Sequence, residues 1–389
     1  MKIRCFSNHF PKLVLIGLIS VLSVEFVQAQ LIEGSVPAVT NINANQCPCI
    51  MPDNSVEFQV KAPNAQKVEI DLGKKYRMEK NANGIWTVRT EPIEPGFHYY
   101  FLVIDDVPVA DPASRSFFGT GKMTSGIDIP EKGVDFYSIK DVSHGTIRSM
   151  PYFSDVTNRW RRLFVYTPPG YDQNRDDKYP VVYVQHGGGE DETGWVEQGK
   201  ANLILDNIIA QGKAKPMIVV FGNGNIGFGG GGYSNEAMAG FKKEMTQVVV
   251  PFIDKNFRTI TDAKNRAICG LSMGGGQSFY TGLTNLHLFG SVGVFSSGIF
   301  GGIQNPSGNV FDAEKEIPGL LTKSGDFNKK LDLFYVSCGE GDPRIEHTKK
   351  AVSQMNEKGL NVQFSSFPGD HEWQVWRKSL FDFASKVFQ

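Results

Sequence analysis

The 389-residue sequence predicts an α/β protein whose mostly parallel sheet carries helices on both faces, preceded by a small all-β sandwich. Two textures and one spacing support this. From about 38 to 130, short segments alternate apolar and polar residues between turn signals, as strands with one buried face do. Beyond about 136, nearly continuous apolar runs alternate with amphipathic stretches, the pattern of a parallel sheet buried on both faces. The spacing is "GLSMG" at 270–274, a serine between glycines where an apolar run meets a helical stretch.

The first residues belong to neither texture. Lys2, Arg4 and Lys12 precede the apolar run at 13–24, and "VQA" ends at Ala29. A basic start, a short apolar stretch and small residues before a cut make a secretory signal peptide over residues 1–29. The run is shorter than the roughly 20 residues a bilayer needs, and no cysteine follows the cut closely, so a membrane or lipid anchor is not expected. The mature chain then begins near Gln30 and is exported to the periplasm or beyond. Hydrophobic residues make up 41% and charged residues 21% of the sequence, ordinary for a globular chain. The formal net charge is −1, and no basic stripe exists to neutralise phosphates, which argues against a nucleic-acid partner. An uncharged polymer or a small ester fits better.

Residues 30–135 read as an immunoglobulin-like sandwich. "SVEFQVKAP" (55–63), "KVEIDLG" (67–73), "GIWTVRTEP" (84–92) and "FHYYFLVIDD" (97–106) are strands punctuated by "PNAQ", "KNANG" and "EPG". Such a unit binds carbohydrate or simply covers the next domain. The aromatic run Phe97, His98, Tyr99, Tyr100 and Phe101 is expected as core on one strand face. Residues 136–389 carry strands at 161–171, 179–189, 216–224, 266–270, 291–297, 331–342 and 362–369. Helices are expected over 201–213, 237–257, 274–286, 345–359 and 372–388. Cys47 and Cys49 are too closely spaced for an unstrained bridge. Cys269 and Cys338 end apolar runs and read as buried free thiols, with a Cys269–Cys338 disulfide as the alternative.

Functional groups gather at the C-terminal ends of strands in a doubly wound sheet. Three ends carry, in chain order, Ser272, Asp342 and His371. That order, with G-x-S-x-G between strand and helix, is the arrangement of an α/β-hydrolase. Gly270 and Gly274 let the backbone bend sharply, and the serine sits at a helix N-terminus, where negative charge is favoured. A serine hydroxyl needs a base, which His371 supplies, and the imidazole needs an acid to orient it and stabilise its charge. Glu340, Asp342 and Asp370 compete for that place. Asp370 adjoins His371, and neighbouring side chains on extended backbone point apart, so Asp342 is favoured.

"QHGGG" (185–189) follows an apolar strand, and such a glycine run turns a backbone N–H toward a reacting carbonyl. The amides of Met273 and Gly188, with Gly187 as the alternative to the latter, are the expected oxyanion donors. His186 reads as a structural residue of that loop. "GNGNIG" (222–227) has the G-x-G-x-x-G spacing but no helix opens after it, so it reads as a loop at the rim of the site. "HEWQV" (371–375) lacks the second histidine of a zinc motif. No metal or cofactor is expected.

"HGGGEDETGWVEQGKANLILDNIIAQGKAKPMIVV", "RAICGLSMGGGQSFYTGLTNL", "CGEGD" and "PGDHEWQVWR" resemble carbohydrate esterase family 1, an esterase D-like group that includes bacterial feruloyl esterases acting on xylan side chains. The resemblance spans about 136–389 and implies Ser272 as nucleophile, His371 as base and Asp342 as acid. The N-terminal part is similar to the early-set sandwich, related to glycogen-binding modules, that often precedes such esterases. The implied substrates are feruloylated or acetylated xylan and its oligosaccharides. Ferulate is preferred here and an acetyl xylan esterase is the alternative, ahead of a siderophore esterase or an inactive polysaccharide-binding protein. Flat apolar walls for a ferulate ring are expected from Trp195, Tyr233, Trp373 and Trp376.

Overall fold

The computed structural model describes residues 34–174, 176–227, 234–301 and 312–389. The expected leader over 1–29 and Tyr233 lie outside these. The alternating segments form two antiparallel sheets. One runs Val36–Pro37, Cys49–Ile50, Val56–Lys61, Ile85–Arg89, Glu79–Lys80. The other runs Ser116–Gly119, Lys122–Ile129, Gly96–Ile104, Val68–Asp71, Lys75–Arg77, with Val107–Val109 also paired to Gly96–Ile104. Val56, Phe58, Val68, Ile70, Tyr100, Leu102 and Ile127 fill the space between them. Successive side chains on a strand point to opposite faces, and this corrects the expectation for the aromatic run. Tyr100 and Leu102 enter the sandwich core, whereas Phe97 and Tyr99 pack into the apolar cluster of the following sheet.

That following sheet has eight strands: β1 Thr146–Ser154, β2 Arg159–Thr167, β3 Val181–Gln185, β4 Ile218–Gly222, β5 Arg266–Leu271, β6 Ser291–Phe295, β7 Leu333–Gly339 and β8 Val362–Phe367. Their spatial order is β1-β2-β4-β3-β5-β6-β7-β8. β1 and β2 form an antiparallel hairpin, β2 is antiparallel to β4, and every later pairing is parallel. All residues of β3 to β7 are buried, so their apolar runs were visible in the sequence. β1 is an edge strand with mostly exposed or half-buried residues; it has no apolar run and was not anticipated.

Helices Ala201–Ala210 and Trp373–Ala384 cover one face through Ile204, Leu205, Ile208, Leu380 and Phe383. The other face is covered by Phe241, Ile253, Phe279, Leu283 and Met355, from the stretch 235–256 and from helices Met273–Leu283 and Ile345–Glu357. The single helix expected over 237–257 is two α-helical pieces, Asn235–Lys243 and Val250–Asn256, joined by π turns over Glu244–Val249. The widened turns precede Pro251, which has no N–H to close an α-helical bond. Cys269 and Cys338 are free thiols, not a disulfide. Burial pushes the Cys269 thiol well up, and burial with the Asp342 charge pushes Cys338 up to about 12.

The sandwich is locked to the helix Trp373–Ala384. Arg377 is fully buried and donates to both carboxylate oxygens of Asp128, Nη1 at 3.0 Å and Nη2 at 2.8 Å. It also donates to the Gln198 carbonyl at 2.6 and 3.1 Å, and its guanidinium lies 4.5 Å from the Tyr137 ring centre. Lys378 pairs with Glu131 at 2.8 Å beside it. Removing one member of a buried pair leaves the other charge uncompensated. Asp128→Ala should therefore cost about 3–5 kcal/mol of stability, read by equilibrium urea unfolding. A change within about 0.5 kcal/mol, the usual effect at an unremarkable surface position, would show that the pair does not hold the junction.

Candidate active site

The turn from β5 into the helix Met273–Leu283 places Ser272 at φ 50°, ψ −115°, a region a residue with a Cβ rarely occupies. The Ser272 N–H donates to Phe295 O at 2.8 Å, and its carbonyl accepts from Gly275 N–H at 3.1 Å. The flanking glycines are required by contact. A Cβ on Gly270 would lie 2.7 Å from the Gly274 backbone, and one on Gly274 would lie 2.5 Å from His186 O. The backbones of β5, the helix and the loop after β3 therefore approach closely around a serine whose side chain is held outward.

Two later strand ends complete a relay. Ser272 Oγ and His371 Nε2 are 3.0 Å apart, and His371 Nδ1 is 2.7 Å from Asp342 Oδ2. Asp342 is buried, and its other oxygen accepts from Arg344 N–H at 3.0 Å and Arg344 Nη1 at 2.9 Å. Burial pushes this carboxyl up, but the bonds from His371 and Arg344 outweigh it and hold it at about 2, so it stays ionised near neutral pH. The competing acids lie elsewhere. Glu340 accepts from Ser366 Oγ at 3.1 Å, and Asp370 accepts the backbone N–H of His371 at 2.8 Å. The His371 ring packs edge-on against Trp376, with centres 5.0 Å apart.

The loop after β3 has a fixed geometry. Gly224 N–H donates to His186 Nε2 at 2.9 Å, which leaves Nδ1 to carry the ring proton and donate to Gly187 O at 2.7 Å. Both ring nitrogens are thus spent on backbone, and burial pushes the imidazole pKa down; His186 is structural, as expected. The loop "GNGNIG" supplies that bond through Gly224, and Gln277 Nε2 donates to Gly224 O at 3.0 Å. Gly187 N–H is taken by Glu190 Oε2 at 3.2 Å, which removes Gly187 from the two candidate donors. Gly188 faces open space, with no atom within 4 Å of an added Cβ. Met273 is the first residue of its helix, so its N–H has no acceptor within that helix.

These groups open into a cavity of about 520 Å³. Ser272, His371, Gly187, Gly188, Glu190, Leu271, Trp373 and Trp376 form one side, and Leu72, Phe97, Tyr99, Phe101 and Thr120 of the sandwich form the other. Trp373 and Trp376 therefore stand where a substrate wall was expected. Trp195 does not, which corrects that expectation. It is buried behind the wall, with its indole N–H on Gln185 O at 2.9 Å and its ring edge-on to Trp373 at 5.3 Å. Tyr233 is outside the described residues. The sequence reading missed the sandwich wall and Glu190. The wall's signal is the spacing of Phe97, Tyr99 and Phe101, which puts all three on the strand face opposite Tyr100 and Leu102.

The family model that matches residues 154–386, described as "Putative esterase", begins at the end of β1 and runs past His371 into the last helix. Among curated proteins, the "Endo-1,4-beta-xylanase/feruloyl esterase" of Xylanibacter ruminicola is 36% identical over 368 residues. The match covers 92% of this chain and 48% of the relative, so the chain spans about half the length of that protein. A solved ferulic acid esterase is 28% identical with a TM-score of 0.54, covering 63% of this chain and 98% of that one. The CE1 ferulic acid esterase of Anaeromyces mucronatus is 26% identical with a TM-score of 0.55, covering 66% and 96%. An enterobactin esterase from Shigella flexneri, 14% identical, shares the fold over 86% of this chain and 93% of its own, with a TM-score of 0.62. Because the family model takes in both the strand-to-helix turn at Ser272 and the strand ends at Asp342 and His371, and spans well over half the chain, the protein belongs to that esterase family.

Proposed function

We propose that this chain is an exported serine esterase that releases ester-linked hydroxycinnamate, ferulate above all, from xylan and its oligosaccharides. The observation that carries the reading is the 3.0 and 2.7 Å relay from Ser272 through His371 to Asp342 at the floor of an aromatic-walled cavity. Ser272 is the nucleophile, His371 the base and Asp342 the acid that holds the imidazole. His371 Nε2 takes the hydroxyl proton as Ser272 Oγ bonds to the ester carbon. The carbonyl oxygen becomes an oxyanion facing the N–H groups of Gly188 and Met273. The intermediate collapses as its bond to the sugar oxygen breaks and His371 returns the proton to that oxygen, leaving an acyl-enzyme. Water then attacks the acyl carbon with His371 again as base, and the carboxylic acid leaves Ser272 restored.

Ferulate is favoured over acetate by the cavity. Phe97, Tyr99, Phe101, Trp373 and Trp376 enclose more apolar wall than a methyl group can cover, and aromatic rings pack edge or offset against one another. The boundaries 30–135 for the sandwich and 136–389 for the esterase domain belong to the same reading. Among the described residues no helix is long and apolar enough to cross a membrane, and the basic-then-apolar start of the sequence supports export.

Two measurements test this. Ser272→Ala should lower kcat on methyl ferulate about 10⁴-fold or more with the circular dichroism spectrum unchanged; activity within tenfold of the parent would overturn the nucleophile assignment. The kcat/KM for methyl ferulate should exceed that for acetyl groups on xylan by about tenfold or more, a difference of ~1.4 kcal/mol in transition-state binding. A preference for acetate would replace ferulate with the acetyl xylan esterase reading.

A further inference from the structure

Glu190 is a buried carboxyl that the relay does not use. Its Oε2 accepts the Gly187 N–H at 3.2 Å, and its Oε1 accepts the Tyr99 hydroxyl of the sandwich at 2.9 Å. Tyr99 in turn accepts from Gln198 Nε2 at 2.8 Å, and that amide also donates to Phe118 O at 3.0 Å. The Glu190 carbonyl accepts from Asn225 Nδ2 at 2.9 Å, and the next carbonyl back, Gly189 O, accepts from Gly121 N–H of the sandwich at 2.8 Å. His186 holds Gly187 O, whereas the Gly187 N–H and the carbonyls of Gly189 and Glu190, on either side of Gly188, are held through Glu190, Asn225 or the sandwich. Both donors to the side chain need lone pairs, so the ionised carboxylate serves them together and the protonated acid serves them less well.

We propose that Glu190 is a positioning residue for ester hydrolysis, whose carboxylate clamps the Gly187–Gly188 turn to Tyr99 of the sandwich and so aims the Gly188 N–H at the acyl oxygen. This rests on the reading of Ser272 as nucleophile and of Gly188 as an oxyanion donor. Burial pushes the Glu190 carboxyl up to about 7, although the bonds from Tyr99 and Gly187 pull it down. The titratable or charged neighbours are Tyr99 on its strand and Asp191 on the loop, with Asp71, His98, His371 and Glu372 lining the same cavity. No cation pairs with Glu190 among the described ion pairs. The clamp therefore tightens as pH rises through about 7. Because the folded-state pKa lies above the unfolded value, the stability it contributes is present at low pH and is lost over the same rise.

The test uses the full chain with Glu190→Ala, Glu190→Gln and Tyr99→Phe, measuring kcat and KM on methyl ferulate from about pH 5.5 to 9. Glu190→Ala should lower kcat about 10- to 100-fold, short of the ~10²–10³ for deleting an oxyanion donor outright, with KM changed by less than about threefold. Glu190→Gln, whose amide oxygen still accepts from Gly187, should recover kcat to within about fivefold of the parent. It should keep the rise in kcat that comes from His371 as base but lose the further rise that Glu190 adds in the parent, and it should melt higher than the parent at about pH 8 but not at about pH 5.5. Tyr99→Phe should fall between the two in kcat. If Glu190→Ala does not fold, the profile of Glu190→Gln decides. An Ala variant that folds with parental kcat, or a Gln variant with the parental kcat profile, overturns the clamp. Labelling of Ser272 by a fluorophosphonate in all folded variants keeps that outcome separate from a failure of the nucleophile assignment, which would leave the parent itself unlabelled.

Discussion

A serine held at φ 50° costs on the order of 1–3 kcal/mol relative to relaxed backbone, and the surrounding chain over-determines it. The Ser272 N–H is committed to β6 through Phe295 O, and its carbonyl starts the helix Met273–Leu283. The two glycines allow strand, helix and the loop after β3 to approach within distances that a Cβ would forbid. The strain is therefore paid by sheet and helix packing remote from the reacting atoms. Every distance in the site is measured from this turn. His371 reaches Ser272 because β8 lies three strands from β5 in a sheet of fixed order, and Gly188 borders the same cavity because β3 is the immediate neighbour of β5.

The second constraint is the junction. The bidentate contact between Arg377 and Asp128, both largely removed from solvent, needs good geometry to offset the desolvation of two ions. It sits on the helix that also carries Trp373 and Trp376. The residues that fix the sandwich to the hydrolase sheet thus share an element with those that wall the cavity and press on the His371 ring. The cavity is a product of that shared geometry. Three of the five aromatic rings named as its walls, Phe97, Tyr99 and Phe101, come from a strand whose opposite face is in the sandwich core.

The same division explains what was legible in the sequence. The turn at Ser272, the chain order of Ser272, Asp342 and His371, and the buried strands are written locally, in spacing and in unbroken apolar runs. So was the choice of Asp342 over Asp370, because opposed side-chain directions on extended backbone are a short-range rule. The rest depends on contacts between distant segments. Trp195 is as flat and apolar as a wall residue, and only its packing against Trp373 shows that it fills space behind the cavity. The period of two separates Phe97, Tyr99 and Phe101 from Tyr100, but what each face packs against depends on segments distant in the chain. Glu190 carried no sequence signal, since a glutamate after three glycines looks like any exposed loop residue until Tyr99 arrives from 91 positions earlier in the chain.

Glu190 also shows why a second module is built into an esterase site rather than tethered beside it. A carboxylate that must be ionised to accept two donors would do so easily in water, but there it would hold nothing, because water competes for both oxygens. The sandwich excludes water with Phe97 and Tyr99, which strengthens the two bonds and at the same time raises the cost of the charge. Positioning strength and ionisation cost rise together, so the optimum is a carboxyl near neutrality with two donors and no cation. An arginine beside it would stabilise the charge but would also compete with Gly187 for its oxygens, and the loop would lose the acceptor that orders it. The arrangement observed, with backbone N–H on one oxygen and a phenol from the sandwich on the other, gives both oxygens to the turn and to the module that covers it.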